Sequence, residues 1–269
     1  MKRWLCLILI LFFWPPSAFG KAKDVSIPIL LYHRFGPAAS DSMTTPTPFF
    51  ESHLRYFSDN GYIVIPLKHL VDYHLGRGAL PPPRSVVITV DDGHQSVYTD
   101  MLPLLKKYRV QATLFLYPSA ISNASYALTW NQLREMKETG VFDFQSHTFW
   151  HPNFKEEKKR LKPSEYEASV KMQLTKSKEK LEREFRTTVE MLAWPFGIYD
   201  EPLMKKATEA GYAAAFAMAN HHASPADNIM SLPRYLLTNS NGEVVKKIVS
   251  NGSRCEGNIC ILKKESKGL

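Results

Sequence analysis

The sequence predicts an α/β protein, a closed (β/α) barrel, on three observations. Short, continuous apolar runs alternate with amphipathic stretches along most of the chain, the pattern of parallel strands buried on both faces. Seven or eight such units fit into about 250 residues, as a single barrel requires. Polar or tightly turned groups follow four of the apolar runs directly. A doubly wound open sheet is the alternative that the same alternation permits.

The elements follow in order. Residues 27–32 (Ile-Pro-Ile-Leu-Leu-Tyr) form an apolar run, and residues 49–57 have helical spacing. Residues 62–65 precede a short helical stretch around 69–74. After Gly-Arg-Gly and three prolines at 81–83 comes the strand candidate 86–90, then an amphipathic stretch through Met101, Leu104, Leu105 and Tyr108. Residues 112–117 and 141–145 are the next strand candidates. The longest helix signal places Tyr166, Val170, Leu174, Ser177, Leu181 and Phe185 on one face. A strand at 189–193, a helix at 201–210 closed by Gly211, a strand at 213–217 and a last strand–helix pair from Met230 complete the pattern. The lysine- and glutamate-rich stretch 155–182 reads as a solvated helix face with charge pairs.

With 269 residues, 44% hydrophobic and 22% charged, the chain can bury a sizeable core, which excludes disorder, collagen-like repeats and a disulfide-stapled miniprotein. Residues 1–20 differ from the rest. A basic start (Lys2, Arg3), an apolar run from Trp4 to Trp14, a Pro-Pro break and Ala18-Phe19-Gly20 have the layout of a signal peptide. The rival reading is a membrane anchor, but the run falls short of the ~20 apolar residues that span a bilayer. Residues 21–269 are then one domain, exported to the periplasm or outside the cell. Loss of Lys2 and Arg3 lowers the net charge from +8 to +6. That excess serves solubility or attraction to an anionic envelope surface, and no nucleic-acid or nucleotide motif accompanies it. Cys255 and Cys260 remain, and an oxidising compartment makes them a local disulfide clip.

In such a barrel, chemistry collects where strands end. Here Tyr32 is followed by His33-Arg34, and Val90 by Asp91-Asp92-Gly93-His94. Ser146-His147-Thr-Phe-Trp-His151 follows the strand at 141–145, and Trp194-Pro195-Phe196-Gly197 the strand at 189–193. Taken singly, Asp-Asp-Gly is a common surface turn and a His-x-x-x-His pair is often unliganded. Together they make a metal site: two imidazoles four residues apart can share an ion, with Asp92 as third ligand and a free carboxylate beside it.

These segments resemble the polysaccharide deacetylases of carbohydrate esterase family four, the NodB-homology domain. Thr89-Val90-Asp91-Asp92-Gly93 is similar to the family's Thr-Phe-Asp-Asp-Gly motif, and Ser146-His147-Thr-Phe-Trp-His151 to its His-Ser/Thr-x-x-His motif. Ala193-Trp-Pro195-Phe196-Gly197 is similar to its Arg-x-Pro-Tyr-Gly motif. The resemblance spans about residues 27–236. It implies a distorted (β/α) barrel of about seven parallel strands and metal-dependent removal of N-acetyl groups from a glycan. Asp92, His147 and His151 would hold one divalent ion, zinc by donor type, with cobalt, nickel and iron also able to use the set. Asp91 would be the general base, and the Phe196 N–H, at the family's tyrosine position, would hold the oxyanion.

Two departures shape the remaining assignments. The family often takes its general acid from a Leu-x-His motif near the C-terminus, which is absent after Phe196. Leu31-Tyr32-His33-Arg34 instead resembles the permuted arrangement of exported poly-β-1,6-N-acetylglucosamine deacetylases, which assigns the acid to His33, with His221 and His222 as competitors. The motif arginine is replaced by Ala193. Arg234 is a candidate to supply its charge from another strand end, a plain structural salt bridge being the equal alternative. Trp194 and Tyr117 are candidates to line the acetyl or sugar pocket, or simply to pack in the core. The expected substrate is therefore an acetylated glycan, poly-β-1,6-N-acetylglucosamine ahead of peptidoglycan or chitooligosaccharide. A non-catalytic glycan-binding protein on the same fold is the alternative of another class.

Overall fold

The structure is a computed structural model that describes residues 25–237, 242–251, 254–256 and 259–261. The expected signal peptide lies outside the described residues. Eight parallel strands form the main sheet: β1 (Ile29–Tyr32), β2 (Ile63–Val64), β3 (Ser85–Val90), β4 (Ala112–Leu116), β5 (Phe142–Ser146), β6 (Met191–Ala193), β7 (Ala214–Phe216) and β8 (Tyr235–Leu236). Seven of them run in the order β8-β1-β3-β4-β5-β6-β7, with β2 paired to the start of β3. A parallel bridge between Phe216 and Leu232, and a hydrogen bond from the Ala219 N–H to the Arg234 carbonyl, tie the β7 edge to the segment entering β8. The sheet thereby curls into a distorted barrel, as the apolar alternation predicts.

Strand periodicity decides what each face carries. Leu30, Tyr32, Ile88, Val90, Leu114, Leu116, Leu192 and Ala215 face the helices in one core cluster. Their neighbours Ile29, Val87, Phe115, Met191, Ala193, Ala214 and Phe216 form a second cluster on the inner face. Leu67, Leu70 and Val71 of α2 (Leu67–His74) join that inner cluster. The outer cluster is covered by α1 (Thr47–Asp59), α3 (Leu102–Tyr108), α4 (Trp130–Glu138), α5 (Phe154–Arg160), α6 (Pro163–Phe185), α7 (Glu201–Glu209) and α8 (Gly242–Asn251). Continuing each alternation past the strand end carries the inner parity to His33, Asp91 and His147.

Several elements differ from the sequence pattern. Helix α4 has no counterpart in it, because only Leu133 and Met136 of its nine residues are buried and two positions make no period. Its signal is the Thr129 capping box with Gln132. The charged stretch 155–182 is two helices, since Pro163 starts α6 and holds Lys162 extended. Arg34–Gly36 and Thr44–Pro46 add a short parallel pair beside the barrel. Near the C-terminus the backbone register sets Cys255 opposite Cys260, while their expected side-chain link lies outside what is described.

The end of β5 is anchored by a buried hydroxyl relay. The Leu174 carbonyl can only accept, so the Tyr212 hydroxyl donates to it (2.9 Å) and must accept from Ser146 (2.8 Å). Ser146 in turn accepts from Ser177 (2.8 Å), which joins β5 to α6 immediately before His147. Tyr212→Phe leaves Ser146 without its acceptor and should cost about 1–2 kcal/mol, measured by urea denaturation. An unchanged midpoint would remove the relay from the account of stability.

Candidate metal and catalytic site

Four strand ends bring chemistry to one mouth of the barrel, and the Arg234 side chain reaches it from the start of a fifth strand. His33 follows β1, Asp91 and Asp92 follow β3, His147 follows β5, Trp194–Gly197 follows β6, and Arg234 precedes β8. The ligand atoms of Asp92, His147 and His151 lie within 4.8 Å of one another. Asp92 Oδ1 is 3.6 Å from His147 Nε2 and 3.8 Å from His151 Nε2. Asp91 Oδ2 is 3.6 Å from the same His147 nitrogen.

Arg234 answers the question left by the missing motif arginine. Its guanidinium grips Asp91 with two parallel hydrogen bonds, Nη1 to Oδ1 and Nη2 to Oδ2, each 2.8 Å. Both side chains are almost wholly buried, Arg234 being 1% exposed, and the guanidinium lies over the Phe115 ring at 5.3 Å. Burial by itself raises the Asp91 pKa, but Arg234 and the nearby His147 outweigh it and bring the carboxyl to about 2. Asp91 is thus ionised and fixed in orientation.

The other groups fit a cation in physical terms. Asp92 is pushed up to about 7 by burial and by the charge of Asp91, so this carboxylate lacks a compensating positive charge. His147 donates its Nδ1–H to the Ala193 carbonyl (2.8 Å), which fixes the tautomer and leaves Nε2 as a lone-pair donor facing Asp92. Burial lowers His147 to about 3 and His151 to about 4, keeping both imidazoles neutral and able to ligate. His33 is also lowered by burial, with Asp91 pulling it upward, and its buried Nδ1 has no hydrogen-bond partner among the described residues.

Backbone strain gathers at the same place. Asp92, Thr148, His151 and Phe196 all have positive φ (74°, 65°, 59° and 56°) without being glycine. At the Phe196 turn, the Gly197 and Ile198 N–H groups bond the Trp194 and Pro195 carbonyls, which leaves the Phe196 N–H without a backbone partner among the described residues. The Phe196 ring is 54% exposed and lies 4.6 Å from the His151 ring.

Trp194 requires a correction. It does not line a pocket: its parity is that of Leu192, so it faces the helices, 0% exposed. Its indole N–H donates to the Met230 carbonyl (2.9 Å) and its ring meets Phe154 edge-on. Tyr117 is half-buried with its ring 5.3 Å from that of His151. Of the competitors for the acid role, His221 is hydrogen-bonded to Asp227 (3.0 Å), and the His222 ring packs edge-on against Tyr235. The sequence pattern could not reveal the Ala193 carbonyl, because a backbone acceptor leaves no mark on residue type.

Removing one partner of a buried ion pair strands the other. Arg234→Ala should therefore lose about 3–5 kcal/mol of stability, and Asp91→Asn combined with Arg234→Met should recover most of it, both read by denaturant unfolding. Equal stability of Arg234→Ala and the unaltered protein would contradict the pairing. Asp91 is depressed below its ordinary value of 3.8, so its share of stability is complete above about pH 4 and is lost as pH falls toward 2.

Comparison with known proteins agrees with this geometry. The polysaccharide deacetylase family model matches residues 79–215, which include Asp91, Asp92, His147, His151 and Phe196 but not His33 or Arg234. A putative polysaccharide deacetylase of Bacillus subtilis, YxkH, is 31% identical over 190 residues, 71% of this chain and 63% of that protein. A poly-beta-1,6-N-acetyl-D-glucosamine N-deacetylase of Staphylococcus aureus is 26% identical over 193 residues, 70% of this chain and 66% of that one. The chain thus spans slightly under two thirds of these relatives' length. Among solved structures, a Streptococcus pyogenes deacetylase (PplD) in complex with acetate has a TM-score of 0.74 at 24% identity, covering 84% of this chain and 99% of that one. IcaB from Ammonifex degensii has a TM-score of 0.71 at 22% identity, covering 85% and 97%. These structures share the fold, and the family match, extending over half the sequence and over the motif residues gathered at the mouth, places the chain in the polysaccharide deacetylase family.

Proposed function

We propose that this protein is a metal-dependent hydrolase that removes N-acetyl groups from a polysaccharide containing N-acetylglucosamine, with poly-β-1,6-N-acetylglucosamine the favoured substrate. The observation that carries the reading is an ionised carboxylate, Asp91, locked by Arg234 beside three converging ligand groups. The Staphylococcus aureus relative's named substrate supports the choice of polymer. The pattern of residues 1–20 supports action outside the cytoplasm, where the basic surface would favour an anionic envelope.

Asp92, His147 and His151 would hold one divalent ion, and two imidazoles with one carboxylate suit zinc. Bound there, the ion would polarise the amide carbonyl and acidify a water. Asp91 takes the proton of the attacking water, and Arg234 prevents it from rotating away. The Phe196 N–H, without a backbone partner among the described residues, would stabilise the oxygen that gains charge as the carbonyl carbon becomes tetrahedral. When the C–N bond breaks, His33 supplies the proton that the departing amine needs, and the carbonyl carbon leaves as acetate. Burial disfavours the charged form of His33, so its acid form depends on the neighbouring Asp91 charge.

Released acetate, measured over a panel of acetylated glycans, tests the reading. Release from poly-β-1,6-N-acetylglucosamine that stops with chelator and returns with zinc is expected. No release from any glycan would leave a glycan-binding protein. Asp91→Asn should retain zinc but lose about 10²–10⁴-fold in turnover, whereas His147→Ala should lose zinc and turnover together. His33→Ala should lower kcat with zinc content intact, and wild-type kcat would reassign the acid.

A further inference from the structure

One wall of the mouth is aromatic and is used by none of the steps above. Tyr117 packs against His151, and its hydroxyl is hydrogen-bonded to that of Tyr126. The Tyr126 ring stacks on His94, 6.2 Å between centroids and 10° from parallel. Its backbone is held as well: Gln95 N–H donates to the Tyr126 carbonyl (2.8 Å), Ala127 bridges His94, and Leu128 N–H donates to the Gly93 carbonyl (2.9 Å). His94 itself is tied to Ser96 (2.8 Å), whose hydroxyl accepts from the Phe35 N–H (2.8 Å). The loop bearing Tyr126 is thus fastened to the Asp91-Asp92-Gly93 turn, yet the tyrosine stays 42% exposed.

A rigid, exposed aromatic ring presents apolar area at little cost in conformational entropy when a ligand covers it. A pyranose has a matching apolar C–H face and a polar hydroxyl rim. Resting on the deacetylase reading, we propose that Tyr126, braced by Tyr117 and His94, is the subsite for the sugar unit adjacent to the one that loses its acetyl group, so that the site favours polymer over monomer. Phe196, also exposed, is a second ring in contact with His151. Tyr126 is a positioning residue in this scheme, since its reach to the reacting atoms is through Tyr117 and His151.

The test compares kcat and KM for acetate release from the monosaccharide and the pentasaccharide of β-linked N-acetylglucosamine, using the zinc-loaded protein. Tyr126→Ala should reduce the pentasaccharide-to-monosaccharide ratio of kcat/KM about tenfold, through KM. Tyr126→Phe, which keeps the ring and loses the hydroxyl, should retain most of the wild-type ratio. An unchanged ratio in Tyr126→Ala, or an equal fall in kcat on both substrates, would overturn the subsite and leave Tyr126 a structural brace. Failure of the wild type to release acetate from these substrates and from every glycan of the panel would instead defeat the deacetylase reading, and the subsite with it.

Discussion

The site depends on one buried interaction, the two-pronged ion pair between Asp91 and Arg234. A carboxylate at the mouth of an apolar barrel would ordinarily take up a proton, and burial pushes Asp91 that way. The guanidinium reverses the outcome and also sets which oxygen faces His147. Burial drives its neighbour Asp92 upward, and the charge that Asp91 keeps adds to the shift, so Asp92 is left in need of a cation. The proposed base and the proposed ligand are therefore adjacent carboxylates that the same buried mouth treats in opposite ways, Asp91 held low by Arg234 and Asp92 left high.

Rigid scaffolding lets that arrangement persist. The functional groups sit on strand ends or on turns with positive φ, and the turns are tied down by backbone hydrogen bonds to neighbouring loops. The His147 imidazole is aimed by a main-chain carbonyl, and β5 beneath it is fastened to α6 through Ser146, Ser177 and Tyr212. The positive-φ backbone at Asp92 and Thr148 adjoins such ties, Leu128 N–H to the Gly93 carbonyl and Ser119 N–H to the Phe149 carbonyl, while His151 and Phe196 lie in turns closed by their own local hydrogen bonds. The strain resides in the loops while the strands remain regular.

Much of the fold could be read from residue order. Strands buried on both faces appear as unbroken apolar runs, and the runs at β1, β3 and β4 are buried throughout. Helix α6 is visible because its buried positions recur from Tyr166 to Phe185, whereas α4 buries only two of its nine residues and leaves no period. Trp194 misled for a related reason. Residue type marks it as a candidate sugar platform, but its place in the strand alternation puts it under the helices, and Ala193 faces the site instead.

The sequence by itself determined the local chemistry of this protein: adjacent Asp91 and Asp92, two histidines four residues apart, and strand alternation that turns Asp91 and His147 toward one face, whereas Asp92 and His151 sit on turns with positive φ. Only the tertiary structure decided which charge steadies Asp91. Arg234 lies 143 positions from Asp91, between an isolated bridge to β7 and the short strand β8, and nothing near it in the chain announces a partner. The same holds for the Ala193 carbonyl that orients His147 and for the Tyr126 ring beside Tyr117. Periodicity and motif spacing are local properties, whereas these contacts exist only once the sheet has curled and brought separate strand ends to a common mouth.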